Sequence, residues 1–201
     1  MRPYPTTRSV ESAAPVTEPI TLAEAKLHCR VDASDDDTLL TRLITVARQY
    51  AERATGRAFA SRAFTMTMTS FPPSGGDIVL PAAPLTAVAS VAYYNSAGSL
   101  VTMVVGTDYR VSVNPIPGRI RLPVATSVNG GVWPETAAVD DAVQISYTAG
   151  ASVETAKHAM LLLIGHWYEN REEVVGGETG SQIELAARAL LGQLRSREVM
   201  P

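Results

Sequence analysis

Apolar residues recur at every second position in much of the stretch from Ser61 to Gly150, and at every third and fourth position on either side of it. No single regular element serves both periods. Side chains two apart share one face of a strand, while those three and four apart share one stripe of a helix. A chain that switches from the helical period to the strand period and back is expected to be α+β: a helical bundle built from the N- and C-terminal segments, with an inserted antiparallel β domain. The boundaries that follow are a flexible N-terminal arm over 1–19, a helical domain over 20–60 and 151–201, and a β domain over 61–150.

The arm carries Pro3, Pro5, Pro15 and Pro19 and shows no period. Thr21 and Glu24 then have the spacing of a capping box, predicting a short helix over about 22–30 with Leu22, Ala25 and Cys29 on one face. An Asp from the run Asp32 to Asp37 can cap the next helix, where carboxylates complement the positive dipole end. That helix has Leu39, Leu43, Val46 or Ala47, Tyr50 and Ala54 as its buried stripe, with Arg42, Arg48, Glu52 and Arg53 off it, and Gly56 in the left-handed position that ends it.

In the middle block Phe64, Met66 and Met68 alternate with Thr65, Thr67 and Thr69, which is a strand with one buried face. Further strand-like runs lie at about 77–80, 85–94, 99–105, 108–113, 119–122 and 142–148, separated by turns such as Asn95-Ser96-Ala97-Gly98 and Asn114-Pro115-Ile116-Pro117-Gly118. Connections this short fit antiparallel meanders and leave no room for crossover helices. After Gly150, Val153, Ala156, Met160, Leu163, Trp167 and Tyr168 form a helical stripe. Leu161, Leu162 and Ile164 make the middle of that helix apolar nearly all round, so it is expected to pack on several sides. Gly176-Gly177-Glu178-Thr179-Gly180 reads as a flexible loop, followed by a last helix over about 182–196 with Ile183, Ala187, Leu190, Leu191 and Leu194 on one side and Arg195 and Arg197 at its end.

Chemistry is sparse. The single Cys29 cannot form an internal disulfide, and His28, His158 and His166 show no paired ligand spacing. An EF-hand loop starting at Asp32 would need Gly at its sixth position and Glu at its twelfth; Asp37 and Leu43 stand there. There is no G-x-S-x-G elbow. Asp140-Asp141 and Glu172-Glu173 are sequence neighbours that point apart, and the glycine loop at 176–180 lacks the Lys-Ser/Thr of a phosphate cradle. The reading is no enzyme, no metal and no cofactor. Seventeen basic residues against 20 acidic give a net charge of −3, which is no footprint of a nucleic-acid binder. Arg110, Arg119 and Arg121 in the β block, the last two on one face, lack the interleaved aromatics that stack bases. No apolar run approaches the roughly 20 residues of a membrane span, and the N-terminus has no apolar core of a secretory signal.

A resemblance carries the argument further. Ile20-Thr21-Leu22-Ala23-Glu24-Ala25-Lys26, the acidic Asp35-Asp36-Asp37, the helix end Thr55-Gly56-Arg57, the segment Leu80-Pro81-Ala82-Ala83-Pro84-Leu85, the strand Gly118-Arg119-Ile120-Arg121-Leu122, Trp133-Pro134, Tyr147-Thr148-Ala149-Gly150 and His166-Trp167-Tyr168-Glu169-Asn170-Arg171-Glu172 are similar, in this order, to the head–tail connector (adaptor) proteins of long-tailed phages and phage-like gene transfer agents. One departure is that Val153 is followed by Glu154 where relatives often have Pro, which moves the expected N-cap to Ala151 or Ser152.

The resemblance implies a structural virion subunit, made in the cytoplasm of the bacterial host, that forms a ring, commonly dodecameric. The ring joins the portal protein to the tail machinery and extends the channel through which DNA passes without sequence-specific binding. Its implied partners are the portal, a tail-side stopper or terminator protein, and further copies of itself; no membrane is involved. The portal-binding residues it implies are Ile183, Ala187, Leu190, Leu191, Leu194, Arg195 and Arg197. The helical core would hold Leu39, Leu43, Tyr50, Met160, Leu163, Trp167 and Tyr168, supported by Arg171. The alternatives are a tail-completion or stopper protein of the same particle and, further off, a hydrolase with an interdomain site.

Overall fold

The computed structural model describes residues 6–123, 131–170 and 178–195, with the side chains of all of these except 178–182. The fold is mixed α+β. Its elements in chain order are β1 (Thr7–Glu11), α1 (Leu22–Cys29), α2 (Asp37–Thr55), β2 (Arg62–Met68), β3 (Ile78–Val79), β4 (Leu85–Tyr94), β5 (Leu100–Thr102), β6 (Arg110–Ser112), β7 (Arg119–Arg121), β8 (Val143–Ala149), α3 (Glu154–Glu169) and α4 (Glu178–Gly192). The described residues divide into two compact units. One takes in 6–14 and 61–150, the other 15–60 and 151–195.

In the strand-rich unit the predicted alternation is met. Phe64, Met66 and Met68 of β2 stand opposite Tyr147, Ile145 and Val143 of β8, and all six are buried. The Phe64 and Tyr147 rings stack with centroids 5.5 Å apart. Cross-strand pairs of this kind are what stabilise a sheet. The larger sheet runs β1-β2-β8-β4-β5 and the smaller β3-β7-β6, antiparallel throughout. β4 slips register against β8 at Leu85/Ala87 and again at Val88/Ser90, which breaks its own alternation of burial. Trp133 stacks on Phe71 at 5.0 Å and donates its indole N–H to the Gly76 carbonyl, closing one side of this unit.

Residues 7–11 correct the expectation of a flexible arm over 1–19. They form β1, paired to β2 from Thr7↔Met68 to Glu11↔Phe64. All five side chains are exposed, so the strand has no apolar period to betray it. It is held by the backbone ladder, by the Ser12 N–H donated to the Ala63 carbonyl, and by the Glu11 carboxylate 2.5 Å from the buried Arg62 guanidinium.

In the helical unit the capping box is complete. The Glu24 N–H donates to Thr21 Oγ1, and the Thr21 N–H donates to Glu24 Oε2 at 2.7 Å. α1 turns Leu22, Ala25 and Cys29 inward as expected. Gly56 ends α2 at φ +69°, donating its N–H to the Glu52 carbonyl. The buried stripe of α2, however, runs along Leu40, Ile44, Ala47, Arg48, Ala51 and Thr55. It is turned by one residue, about 100°, from the predicted one. Leu39, Leu43, Tyr50 and Ala54 pack partly buried along its flank, and Val46 is exposed. The displacement has a physical reason: two of the buried positions are polar, so an apolar count is pulled toward the leucines beside them.

α3 touches α1, α2 and α4, as its all-round apolarity predicts. Met160 and Leu163 are fully buried, and Trp167 and Tyr168 lie partly buried against the core. The N-cap is Val153, not Ala151 or Ser152. α4 starts at Glu178, so Glu178, Thr179 and Gly180 are helical where a loop is predicted; Gly176, Gly177 and Arg171 lie outside the described residues.

Two outcomes test this packing. Leu163→Ala should destabilise the protein by about 2–5 kcal/mol in denaturant melts, and a change below about half a kcal/mol would mean the side chain is not enclosed. The Glu24 carboxyl is held below the usual carboxylate range, first by the Thr21 N–H, then by the Thr21 hydroxyl and by Lys157. Its contribution is therefore present above the ordinary carboxylate pKa and lost as pH falls through the depressed value. Thr21→Ala should cost about 1 kcal/mol at neutral pH and flatten the acid-side fall in melting temperature. An unchanged slope would assign it to other carboxylates.

Candidate assembly surface

Arg48 is the residue that organises the helical unit. It sits on the buried side of α2 with its side chain only 6% exposed. Its Nε donates to Glu18 Oε2 at 2.7 Å and its Nη1 to Glu52 Oε2 at 2.9 Å, while Glu52 Oε1 accepts the Phe59 N–H. One guanidinium thus ties the segment before α1, through Glu18, to the middle of α2 and to the turn that follows it. Sequence reasoning places Arg48 off the apolar stripe. The available signal is the Glu52 four residues on, the spacing of a helical ion pair.

The C-terminal segment is positioned by polar contacts outside an apolar seam. Ala187 and Leu191 of α4 are buried, with Leu190 and Leu194 partly buried against the same core and Ile183 half-exposed. Arg188 Nε donates to Tyr50 Oη at 2.9 Å, Tyr50 meets Trp167 edge-on at 6.2 Å, and Arg195 Nε donates to the Ala54 carbonyl at 3.3 Å. The apolar side read as portal-binding therefore faces the chain's own α2 and α3, and Ala187 and Leu191 are not available at the surface. Leu185, Arg188 and Arg195 remain outward, and Arg197 lies outside the described residues.

At the far end of α3, Tyr168 Oη donates to Asp36 Oδ2 at 2.5 Å, and Asp37 pairs with Lys26. Asp36 does occupy the N-cap of α2, yet its carboxylate serves Tyr168 and makes no capping bond to the helix. Beside it His28, Cys29, Gly165, His166 and Glu169 line a cleft of about 140 Å³. Burial and the Glu169 carboxylate push the Cys29 thiol up, which keeps it protonated, the opposite of what a metal ligand or nucleophile needs. Among the described residues no group of three or more His, Cys, Asp or Glu is arranged to hold a metal ion, and no helix is long and apolar enough to cross a membrane.

In the strand-rich unit Arg119 and Arg121 do share a face. Both reach Asp77 Oδ2, at 3.3 Å and 2.8 Å, so one carboxylate offsets two guanidiniums. Arg110 stands directly across from Arg121 and is exposed. Asp140 and Asp141 line an open groove with Tyr94 and Gln144, and His158 stands exposed on α3.

Residues 19–109 match the family described as phage gp6-like head-tail connector protein, which bears out the resemblance read from the sequence. Three solved structures share the fold over nearly the whole chain. One is a chain in the neck of an empty GTA particle computed with C6 symmetry, 24% identical with a TM-score of 0.74. The second is from the virion of a native gene transfer agent (GTA) particle, 23% identical with a TM-score of 0.75. The third is from the neck of a native GTA particle computed with C12 symmetry, 23% identical with a TM-score of 0.72. Each comparison covers 96% of this chain and 97% of the other. No curated protein sequence matches the chain.

The ionic tie at Arg48 makes a sharp prediction. Arg48→Ala removes the guanidinium that neutralises Glu52, 11% exposed, and should cost about 3–5 kcal/mol in denaturant melts. Arg42→Ala, on the exposed side of the same helix, should cost less than about 0.5 kcal/mol. Equal costs would refute the organising role.

Proposed function

We propose that this chain, whose residues 19–109 match the head–tail connector family, is a non-enzymatic ring subunit of a phage or phage-like particle. The ring joins the portal to the tail machinery and extends the DNA channel. The observation that carries this reading is the fold shared over 96% of the chain with chains from the neck of a GTA particle, one of them computed with C12 symmetry.

In this reading the helices from both ends of the sequence form one bundle, and the strands between them are an inserted β domain. A subunit of that kind meets its neighbours through two unlike patches, a heterologous contact that closes by rotation. Its work is mechanical. The α2 rod, 19 residues or about 28 Å long, is pinned at its middle by Arg48 and at its start by the Asp36–Tyr168 bond, so load on one end passes to α3 without bending a loop. A net charge of −3 suits a conduit, because many phosphate contacts would hold DNA that has to slide. The partners are the portal, a tail-side stopper or terminator, and further copies of the chain.

The portal contact is assigned to the C-terminal segment from Ile183 to Arg197. Since Ala187 and Leu191 anchor α4 in its own core, the contact falls to the outward side of α4 and to the residues after Gly192. Purified portal tests this by pull-down. The full chain should bind, and a chain ending at Gly192 should keep its melting temperature within about 4–8 °C and lose binding. Undiminished binding would move the contact elsewhere, and failure of the full chain to bind portal in any condition would reject the connector reading.

A further inference from the structure

The larger sheet is open at both sides. Its order β1-β2-β8-β4-β5 leaves β1 and β5 each with a strand on one flank only among the described residues. Hydrogen-bonded and non-hydrogen-bonded pairs alternate along an antiparallel ladder, so the bonds at its ends fix which backbone groups are left over. Beside β1 the Ser12 N–H goes to the Ala63 carbonyl and the Thr69 N–H to the Thr6 carbonyl. The backbone groups of Arg8 and Val10 therefore face β2, and those of Thr7, Ser9 and Glu11 point away from the sheet. Beside β5 the Asn95 N–H goes to the Ser99 carbonyl and the Met103 N–H to the Val91 carbonyl. The backbone of Val101 thus faces β4, and Leu100 and Thr102 turn theirs outward. Among the described residues none of these outward groups has a hydrogen-bond partner.

Free edges are commonly blunted by proline, a bulge or lysine. β1 has none of these between Thr7 and Glu11, and its one carboxylate is paired with Arg62. The two edges also match each other. Every neighbouring pair in the five-stranded order is antiparallel, so β1 and β5 run the same way. The rotation that closes a ring keeps that direction and sets β5 of one copy parallel to β1 of the next, whereas a two-fold axis joins like edges antiparallel. With Leu100 level with Arg8, the Leu100 N–H meets the Thr7 carbonyl and the Leu100 carbonyl meets the Ser9 N–H. Thr102 does the same with the Ser9 carbonyl and the Glu11 N–H. The pleat agrees with this register. Ser9 lies opposite the buried Met66, and Val101 opposite Tyr93, which itself lies opposite the buried Val143, so Ser9 and Val101 share the core side. Leu100 and Thr102 then fall level with Arg8 and Val10 on the other side, bringing together Leu100 and Val10, which are 53% and 47% exposed.

We infer that β5 of one copy adds to the free edge of β1 on the next, continuing the sheet from subunit to subunit. This rests on the ring reading above and names the contact that would hold the ring. Neither strand belongs to the segment assigned to the portal.

The experiment uses the full chain, alone and with portal, and scores rings by negative-stain microscopy and sedimentation. Ser9→Pro removes an N–H that points outward, so β1 keeps its ladder to β2 while the pyrrolidine ring blocks the edge. It should preserve the melt and lower ring formation about tenfold or more, whereas Ser9→Ala, which keeps that N–H, should form rings as the unmodified chain does. A second readout is covalent. In a Cys29→Ala background, Arg8→Cys with Leu100→Cys places two thiols side by side on different copies, and oxidation of assembled rings should give a ladder of multimers. Within one copy the two positions lie on opposite edges of the sheet and do not meet. Rings that persist in Ser9→Pro, rings lost equally in Ser9→Ala, or assembled rings without the covalent ladder overturn the inference and leave the connector reading standing. If Ser9→Pro does not fold, the cysteine pair decides alone. Covalent dimers with no higher species would mean a two-fold contact, and intact rings of Ser9→Pro that no longer hold portal would give β1 to the portal; both overturn it. No rings of the unmodified chain, even with portal, would overturn both readings.

Discussion

Among the described residues, six of the fourteen buried in the core around α3 are alanines: Ala25, Ala47, Ala51, Ala156, Ala159 and Ala187. That is the constraint on which the helical unit depends. α3 has to be approached from three sides by α1, α2 and α4, and a helix can be crowded in this way only where the facing side chains are short. Larger residues are then confined to the gaps, where Leu40, Ile44, Met160, Leu163 and Ile164 fill the space between axes. Dispersion falls off so steeply with distance that half an ångström of separation would forfeit much of the gain. Small residues at the crossings and branched ones between them are two parts of one solution.

Burial in this packing makes Arg48 expensive. A buried guanidinium is tolerable only when its hydrogen-bonding capacity is met, and here Glu18 and Glu52 meet it from opposite directions along the chain. The arrangement need not add net stability over an apolar residue of the same shape. What it adds is uniqueness. Glu18 can reach Arg48 only when the segment leading into α1 lies along α2, and Glu52 can accept the Phe59 N–H only when the turn after Gly56 is tight. A hydrophobic side chain at 48 would be satisfied by many positions of both segments.

Much of this was legible in the sequence because burial and period go together wherever one face of an element is apolar. The β2 alternation, the capping box at Thr21 and Glu24, the glycine stop at Gly56 and the many-sided α3 are all of that kind. What stayed hidden is what backbone or ionic pairing decides. β1 has five exposed side chains and is held by its peptide groups and by the Glu11–Arg62 pair. Arg48 and Thr55 sit in the core as polar residues, which rotated the predicted stripe of α2 by one position. The start of α4 at Glu178 runs through a Gly-rich stretch whose composition argues for a loop. At the assembly surface the apolar side of α4 was visible as a pattern, but pattern cannot distinguish a face that closes its own unit from one that waits for a partner.

That last ambiguity bears on how such a subunit assembles. Among the described side chains of α4, Ala187 and Leu191 are spent on the chain's own core and Leu185 is left exposed. Contacts built from a few backbone hydrogen bonds at a strand edge are individually modest, about 0.5–1.5 kcal/mol for each bond. A ring gains from closure what its pairwise contacts lack, because the last copy to enter binds at two faces, and a template that already holds several copies raises their effective concentration.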